Sequence, residues 1–212
     1  MAYLFFDTET TGIPKRRGGK TYDHKNLEHF AGARIVQICW MITKGKTFDL
    51  LDEKCCIVKP DGFVIPEVTS KIHGIYQAEA LSEGRELKEV LEMLEEAVNK
   101  YGVKKVVAHN VEFDINILLS EIYRGGVFRN LYESMSSMSQ KCTMKAGKYV
   151  CKLESRFKNS YKYPTLKELY EFLFHTPIDT SKTHQADFDT KICLQCFREL
   201  LRLEKESKLN RT

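Results

Sequence analysis

The sequence has no long apolar run, and this absence limits the kinds of protein that it can encode. Hydrophobic residues make up 42% of the 212 residues, yet no uninterrupted apolar segment approaches the ~20 residues that span a bilayer. The amino terminus lacks the basic segment of a signal peptide and already reaches an acidic residue at Asp7. We therefore expect an intracellular protein with no membrane partner.

The sequence also lacks the cysteine patterns of disulfide-rich or zinc-binding domains. Its seven cysteines are scattered and odd in number, so we expect no disulfide framework and infer a reducing compartment. Cys193 and Cys196 form one C-x-x-C pair, whereas a zinc site would need a second pair at suitable spacing. We interpret both as buried residues of a helix, since free cysteine is among the most buried residue types.

Neither sign of charge is in large excess. The 33 Lys and Arg residues against 29 Asp and Glu give a formal net charge of +4, which weakly favours a polyanionic partner. The chain has no internal repeat and no long linker. These features predict a single domain over residues 1–203, followed by a charged carboxy-terminal tail over residues 204–212.

Hydrophobic patterning predicts strands first and then an alternation of helices and strands. Strands are predicted at 3–6, 34–42, 47–58 and 104–108, and the first three form an antiparallel meander. Helices are predicted at 67–75, 86–101, 112–123, 143–153, 165–174 and 185–203. This order is typical of an α/β fold built around a mixed sheet.

Two carboxylates stand one residue apart at the end of the first predicted strand. Asp7 and Glu9 lie on the same face, because side chains alternate along a strand. Adjacent carboxylates repel each other unless a cation neutralises them, which indicates a divalent metal with oxygen ligands. Taken alone, the pair is equally compatible with two solvated acids.

Two further acidic segments lie far along the chain. Asp114 falls in the first turn of a helix after His109 and Asn110, where an acid is also a common partner of the helix dipole. Asp189 lies in the first turn of the last helix, and His184 precedes it by five residues in a loop. A loop histidine is usually a surface residue, but beside a metal site it can exchange protons.

Together, these motifs resemble the DEDDh family of 3′→5′ exonucleases, which includes the proofreading (epsilon) subunit of bacterial DNA polymerase III. The similar segments follow the family's order over about residues 3 to 200, at 6–12, 72–75, 109–114, 142–144, 163–169 and 184–189. The resemblance implies an RNase H-like fold with a five-stranded mixed sheet and helices on both faces. The fifth strand would lie between Gly126 and Cys142, around Tyr132.

The resemblance also implies a two-metal phosphodiester hydrolase that releases nucleoside 5′-monophosphates from 3′ ends. Two ions per site, Mg²⁺ or Mn²⁺, would be held by four acids, with the first of them bridging both ions: Asp7, Glu9, Asp114 and Asp189. His184 would accept the proton of the attacking water.

Two positions distinguish this chain from related enzymes. Sister enzymes use a tyrosine base four residues before the last acid, and Gln185 occupies that position here, which assigns the chain to the histidine subclass. Gln37 stands where the family often carries glutamate, so we expect a changed hydrogen bond in the floor of the site. Asp187, in the same turn as Asp189, is expected to be solvated.

Substrate contacts are predicted near each motif. The predicted contacts to the terminal nucleotide are Thr8, Thr10, Thr11, Gly12, His73, Ile75, Asn110 and Phe113. For His73, a capping or packing role is as compatible with the sequence as contact with a base. Phe113 is more typical of core packing than of base stacking. The lysine-rich segments 15–20 and 145–162 could follow the phosphates of a single strand or form solvated faces.

The expected substrate is a single-stranded DNA 3′ end, in proofreading beside a DNA polymerase or in repair. The compartment would be the cytoplasm or the site of DNA replication. RNA trimming is the alternative within the enzyme class, because DNA and RNA are distinguished by contacts to the 2′-OH and no motif indicates such contacts. A nucleic-acid-binding module without catalysis is the alternative from another class, and the presence of all four acids and His184 argues against it.

Overall fold

The structure, a computed structural model, describes residues 1–15, 23–179 and 183–209. Its strands are β1 Ala2–Thr10, β2 Ile35–Lys44, β3 Leu50–Ile57, β4 Val103–Ala108 and β5 Ser139–Cys142. Its helices are α1 Glu67–His73, α2 Gln77–Glu83, α3 Leu87–Tyr101, α4 Val111–Gly125, α5 Arg129–Ser137, α6 Thr143–Cys151, α7 Leu166–Phe174 and α8 Ala186–Leu209.

The five strands form one mixed sheet in the order β3-β2-β1-β4-β5. β2 is antiparallel to both β1 and β3, whereas β4 is parallel to β1 and β5 is parallel to β4. This arrangement confirms the predicted α/β fold with a five-stranded mixed sheet and three antiparallel first strands. β1 lies at the centre, which explains its nearly continuous burial from Ala2 to Phe6.

Alternation along β1 divides the core between the two faces of the sheet. Leu4 and Phe6 belong to the larger cluster, which also contains the apolar residues of α3 and α4. Tyr3 and Phe5 belong to a second cluster with Phe197 and other residues of α8. A strand covered by helices on both faces therefore directs successive side chains at α4 and at α8.

The fifth strand was predicted between Gly126 and Cys142, and this interval is confirmed, but the position around Tyr132 is wrong. Tyr132 lies in α5, and the strand is the four-residue β5, paired with β4 from Lys105 to Ala108. Three of the four β5 residues are exposed, so β5 lacks the apolar alternation by which strands are recognised in sequence. Helices α2 and α5 were also missed.

The last helix extends beyond its predicted end. α8 continues to Leu209, so most of the segment predicted as a charged tail is helical. Ion pairs one turn apart, Arg202 with Glu206 and Glu204 with Lys208, stabilise this exposed extension. In the described ranges, neither α8 nor any other helix has the length and apolar character needed to cross a membrane.

One pair of cysteines forms a disulfide. Cys39 on β2 lies directly opposite Cys55 on β3, and the two are bonded. The other five cysteines are free, and Cys193 and Cys196 are buried in α8 as predicted. One cross-strand bond is not the framework of several bridges that small disulfide-rich domains have. The pairing follows from strand register, which the sequence did not reveal.

Candidate active site

The ends of β1, β4 and α8 meet at one edge of the sheet. The aromatic residues of β1 that pack on α8 are followed, at the same alternation, by Asp7 and Glu9. These two acids therefore face the first turn of α8, which carries Asp189. Thr8 points to the opposite face, toward Asp114 at the start of α4.

Three of the acids lie close enough to share a cation. Asp7, Glu9 and Asp189 each offer a carboxylate oxygen, and these three oxygens all lie within 4.8 Å of one another. Oxygen ligands of this kind are the ones that Mg²⁺ and Mn²⁺ prefer. Among the described residues that line the surrounding cavity there is no lysine or arginine to balance the charge.

The fourth acid, Asp114, is held by hydrogen bonds from β1 and not by a positively charged side chain. It is 2% exposed, and its Oδ1 accepts hydrogen bonds from the backbone N–H of Thr8 at 3.1 Å and from the Thr8 hydroxyl at 2.8 Å. The hydroxyl hydrogen of Thr8, a predicted substrate contact, is thus committed to Asp114. The two bonds join β1 to α4 and fix the direction of the carboxylate.

Burial raises the pKa of all four carboxyl groups, and repulsion from other acids of the group adds to the increase for Asp7 and Glu9. Burial is the largest cause for Asp7, whose pKa is raised well above its ordinary value, with further increases from Asp114, Glu9 and Asp189. Burial, Asp189 and Asp114 raise the pKa of Glu9 to about 8. Burial raises the pKa of Asp189 to about 6, against a hydrogen bond from His184.

For Asp114, burial raises the pKa, although the two hydrogen bonds from Thr8 oppose part of this increase. Carboxyl groups whose pKa values are raised in this way resist full ionisation in the absence of a cation. The site is therefore electrostatically prepared for a positively charged ligand.

His184 lies beside these acids, on the loop that leads into α8. Its side chain is exposed and lines the same cavity. Its backbone has φ +63°, in the left-handed region that non-glycine residues seldom adopt. The backbone N–H donates to Asp189 Oδ2 at 3.1 Å, which ties the loop to the acid. The loop thus holds an exposed imidazole at the wall of the cavity that the carboxylates line.

His109 also lines the cavity, but both of its ring nitrogens are engaged. Nε2 lies 3.1 Å from the carbonyl oxygen of Pro164, so it must donate a hydrogen. Nδ1 lies 3.0 Å from the Thr143 hydroxyl and is left to accept. Burial lowers the His109 pKa to about 4, against the bond to Pro164. His109 is thus a neutral residue that joins the end of β4 to the segment before α7.

His73 presents a hydrogen-bond donor at the cavity wall. It is 5% exposed, and its Nδ1 accepts the backbone N–H of Ile75 at 3.1 Å. Burial lowers the His73 pKa, so the neutral ring carries its hydrogen on Nε2. That atom is buried and has no hydrogen-bond partner among the described residues. A buried donor of this kind indicates a ligand atom.

The turn after β1 is packed against residues 32–34. The Thr10 hydroxyl donates to the carbonyl of Gly12 at 2.6 Å. The Thr11 hydroxyl donates to the carbonyl of Gly32 at 3.1 Å and accepts the N–H of Arg34 at 2.9 Å. A Cβ on Gly12 would lie 2.8 Å from the Gly32 carbonyl oxygen, so this close approach requires glycine.

The cavity, of about 260 Å³, brings together all five predicted catalytic residues. Five of the predicted substrate contacts also line it: Thr8, Thr10, Gly12, His73 and Phe113. The other three do not belong to its described wall. Thr11 faces the turn, Asn110 begins α4 with φ +68°, and Ile75 is buried in a separate apolar cluster.

Two wall residues were not selected from the sequence. Thr69 and Ile72 lie on α1 and line the cavity, and Ile72 is 53% exposed. Gly74 ends this helix with φ +79° and turns the chain, so that Ile75 enters the core. A helix boundary accurate to one residue would have been needed to choose Ile72 over Ile75.

Gln37 links the sheet to α8 at the floor of the site. It lies opposite Glu9 in the β1–β2 register, and its Oε1 accepts the N–H of Ala186 at 3.3 Å. This bond satisfies one of the free N–H groups at the start of α8. Glutamine makes the bond without adding another negative charge. Of the basic segment 15–20, predicted to follow phosphates, positions 16–20 lie outside the described residues.

Solved structures with a similar fold are exonucleases. Escherichia coli exonuclease I, zinc-bound with single-stranded DNA, has a TM-score of 0.66 and 17% identity, covering 99% of this chain and 42% of that chain. Its complex with a 5cy-dT13 oligonucleotide has a TM-score of 0.68 and 16% identity, covering 97% and 41%. Exonuclease X with 5′ overhanging duplex DNA has a TM-score of 0.56 and 19% identity, covering 95% and 92%.

This chain spans less than half the length of exonuclease I and nearly all of exonuclease X. At these identities the likeness shows a shared fold. No curated protein sequence matches the chain significantly. The family model described as exonuclease (RNase_T) matches residues 4–197, a range that contains every acid of the cavity and His184. On this match, the chain belongs to the exonuclease family.

Proposed function

We propose that this protein is a 3′→5′ exonuclease of the DEDDh type that releases nucleoside 5′-monophosphates with two divalent ions. The observation that carries the proposal is that four acids and His184 line one cavity, although they come from three distant parts of the chain. Loss of catalysis in a pure binding module would leave no reason to keep these five residues together. The retained set supports an enzyme.

The carboxylates fit Mg²⁺ or Mn²⁺. Three of their oxygens converge within 4.8 Å, and the cavity wall has no described cationic side chain. Asp7, which interacts electrostatically with the other three acids, is expected to serve both ions. Two such ions supply an activated water, charge relief on the phosphoryl oxygens and stabilisation of the leaving 3′-oxygen.

The other residues of the cavity would bind the substrate and move the proton. His184 would accept the proton of the attacking water, since both nitrogens of His109 are engaged. The Nε2–H of His73 would donate to the terminal nucleotide. Ile13 and Ile72, 77% and 53% exposed, would offer apolar surface to the terminal base.

We assign single-stranded DNA 3′ ends as the substrate. The exonuclease I and exonuclease X structures with a similar fold are complexes with DNA, which supports this choice over RNA trimming. A role in proofreading or repair, a DNA polymerase partner and a location in the cytoplasm or at the site of replication stay predictions.

The direct test is digestion of a single-stranded 20-mer labelled at either end. With Mn²⁺ or Mg²⁺ we expect the 3′ label to appear in mononucleotides and the 5′ label in a shrinking ladder. EDTA should stop both. Internal cuts, release from the 5′ end or activity in EDTA would contradict the proposal. Matched DNA and RNA strands, single and double, would measure the substrate preference.

The raised carboxyl pKa values predict that the metal-free protein loses stability as the pH rises. When a carboxyl has a higher pKa folded than unfolded, the folded state holds more protons between the two values, and the free energy of unfolding falls with pH. The interval runs from 3.8 to about 6 for Asp189 and from 4.5 to about 8 for Glu9. We expect the Tm in EDTA to fall between about pH 5 and about pH 8.

Mn²⁺ should restore the Tm most at the alkaline end, because it binds the ionised carboxylates. The control is Asp7→Asn, which removes one of the repelling charges and should make the EDTA curve flatter. A wild-type Tm that stays level or rises over this range would show that the acids do not repel one another as described.

A further inference from the structure

A second surface, next to the cavity, carries an unusual combination of charge and aromatic side chains. Residues 148–163, which we call the basic hairpin, run from the last turn of α6 toward α7. They contain one acid, Glu154, and five bases: Lys148, Lys152, Arg156, Lys158 and Lys162. An antiparallel bridge joins Glu154 to Tyr161, and the Lys162 N–H donates to the Leu153 carbonyl at 3.0 Å. The segment therefore folds back on itself.

Four aromatic side chains of the basic hairpin are exposed. Tyr149 is 68% exposed, Phe157 76%, Tyr161 39% and Tyr163 46%. The rings of Tyr149 and Tyr161 lie edge to face with centroids 6.3 Å apart. Because these four rings are grouped in one segment and are accessible, they offer free surface to a ligand.

Among the described residues, most cations of the basic hairpin are not paired with acids, and one of them lies against two of its rings. The Lys148 ammonium lies 4.6 Å from the ring centroid of Tyr163 and 5.6 Å from that of Tyr149. Lys162 is paired with Glu168 at 2.6 Å. Within the described parts of the chain, Lys152, Arg156 and Lys158 have no carboxylate within ion-pair distance. This surface is thus positive and aromatic at once.

The basic hairpin is continuous with the wall of the cavity. Pro164, which follows Tyr163, accepts the hydrogen bond from the cavity residue His109. Lys145, one turn before the hairpin, pairs with Glu112 in the first turn of α4 at 3.3 Å. A strand with its 3′ end in the cavity therefore has this surface within immediate reach.

We propose that the basic hairpin binds the single-stranded nucleic acid that lies 5′ of the nucleotide in the cavity. Bases would stack on Tyr149 and Tyr161, and phosphates would contact the unpaired cations, as in other single-strand grooves. A merely solvated basic face would explain the charges but not the exposed rings. The inference rests on the proposed function, because it assumes that the cavity receives the 3′ end.

The test compares a long substrate with a minimal one. The double variant Tyr149→Ala with Tyr161→Ala should raise the KM for a dT 20-mer about tenfold or more, since each stacked base contributes to binding. Its kcat should stay within about twofold, and hydrolysis of the nitrophenyl ester of thymidine 5′-monophosphate, which cannot reach the hairpin, should not change. Tyr123→Ala, an exposed tyrosine elsewhere on the surface (46%), is the matched control.

A second variant tests the charges independently of the rings. Arg156→Ala with Lys158→Ala should weaken 20-mer binding and flatten its dependence on salt, because fewer phosphates are neutralised. An unchanged KM for the 20-mer in both variants would overturn the proposal, and so would equal losses on the 20-mer and on the nitrophenyl ester.

The experiments distinguish failure of the proposed function from failure of nucleic-acid binding by the basic hairpin. If the wild-type protein hydrolyses neither substrate, the proposed function fails. Fluorescence anisotropy of a labelled dT 20-mer in EDTA then still measures binding by the basic hairpin, with the same variants and the same control. Repeating the titration with a U 20-mer distinguishes a DNA strand from an RNA strand.

Discussion

Replacing Asp7 by asparagine is expected to lower the rate of mononucleotide release by roughly 10³-fold or more. Asp7 interacts electrostatically with all three other acids of the cavity, and asparagine keeps its shape while removing the charge that would bind both ions. Metal-ion stabilisation is worth several kcal/mol, and about 1.4 kcal/mol corresponds to a factor of ten in rate. Release of labelled nucleotide at saturating Mn²⁺ measures the loss.

The same substitution should stabilise the metal-free protein. Burial and the neighbouring acids raise the pKa of Asp7, so its charged form is unfavourable in the folded state at neutral pH. We therefore expect asparagine to raise the free energy of unfolding in EDTA at pH 8, measured by urea denaturation, because it removes a group whose ionisation is unfavourable in the fold. A variant that is both inactive and more stable without metal cannot be inactive because it is misfolded.

Asp189→Asn and Asp187→Asn form a matched pair on one turn of α8. Asp189 belongs to the group of three carboxylates, whereas Asp187 is paired with Lys191 at 3.9 Å and does not line the cavity. We expect the first variant to lose activity and Mn²⁺ binding like Asp7→Asn, and the second to keep both. Normal activity in Asp189→Asn would refute the ligand assignment.

His184→Asn is expected to lower kcat by about 10²- to 10⁴-fold, the usual contribution of a general base. Asparagine tolerates the left-handed backbone conformation that His184 adopts, φ +63°. The backbone hydrogen bond to Asp189 can therefore persist, and only the proton-accepting imidazole is lost. Mn²⁺ affinity, measured by calorimetry, should stay close to that of the wild-type protein.

His175→Asn is the control for the change of side chain. His175 is also an exposed histidine with a left-handed backbone, φ 52°, at the end of α7, and we place it in no catalytic role. Its substitution should leave kcat unchanged. Partial recovery of His184→Gly by added imidazole would support proton transfer specifically. If His184→Asn keeps kcat within about threefold of the wild-type value, the base is another group.

The parts of the fold that could be predicted are those with a strong local signal. The apolar run of β1 marks a buried strand, and Gly102 ends α3 and Thr165 caps the start of α7, which are residue types common at those positions. β5 could not be predicted, because its exposed residues carry no apolar alternation and it is a strand only through its pairing with β4. The disulfide between Cys39 and Cys55 depends on strand register in the same way.

In the candidate site, the identity of the acids was predictable and their environment was not. Asp7, Glu9, Asp114, His184 and Asp189 stand in motifs with a recognisable order, so the motifs themselves indicated a shared site. That Thr8 holds Asp114 and that Gln37 holds the start of α8 depend on distances between segments far apart in sequence. The donor role of the second His73 nitrogen depends on a local hydrogen bond from Ile75 and on burial by the fold.

Residue type and order along the chain therefore indicated the chemistry, because carboxylates are oxygen ligands for divalent ions and histidine can exchange protons near neutral pH. The tertiary structure decided which groups act together. Alternation along β1 directs Asp7 and Glu9 toward α8 and Thr8 toward α4. Only the packing of the two helices on the sheet places Asp189 beside Asp7 and Glu9, and Asp114 beside Thr8. The raised carboxyl pKa values, the exposed rings of the basic hairpin and its junction with the cavity have the same origin, since burial and proximity exist only in the folded chain.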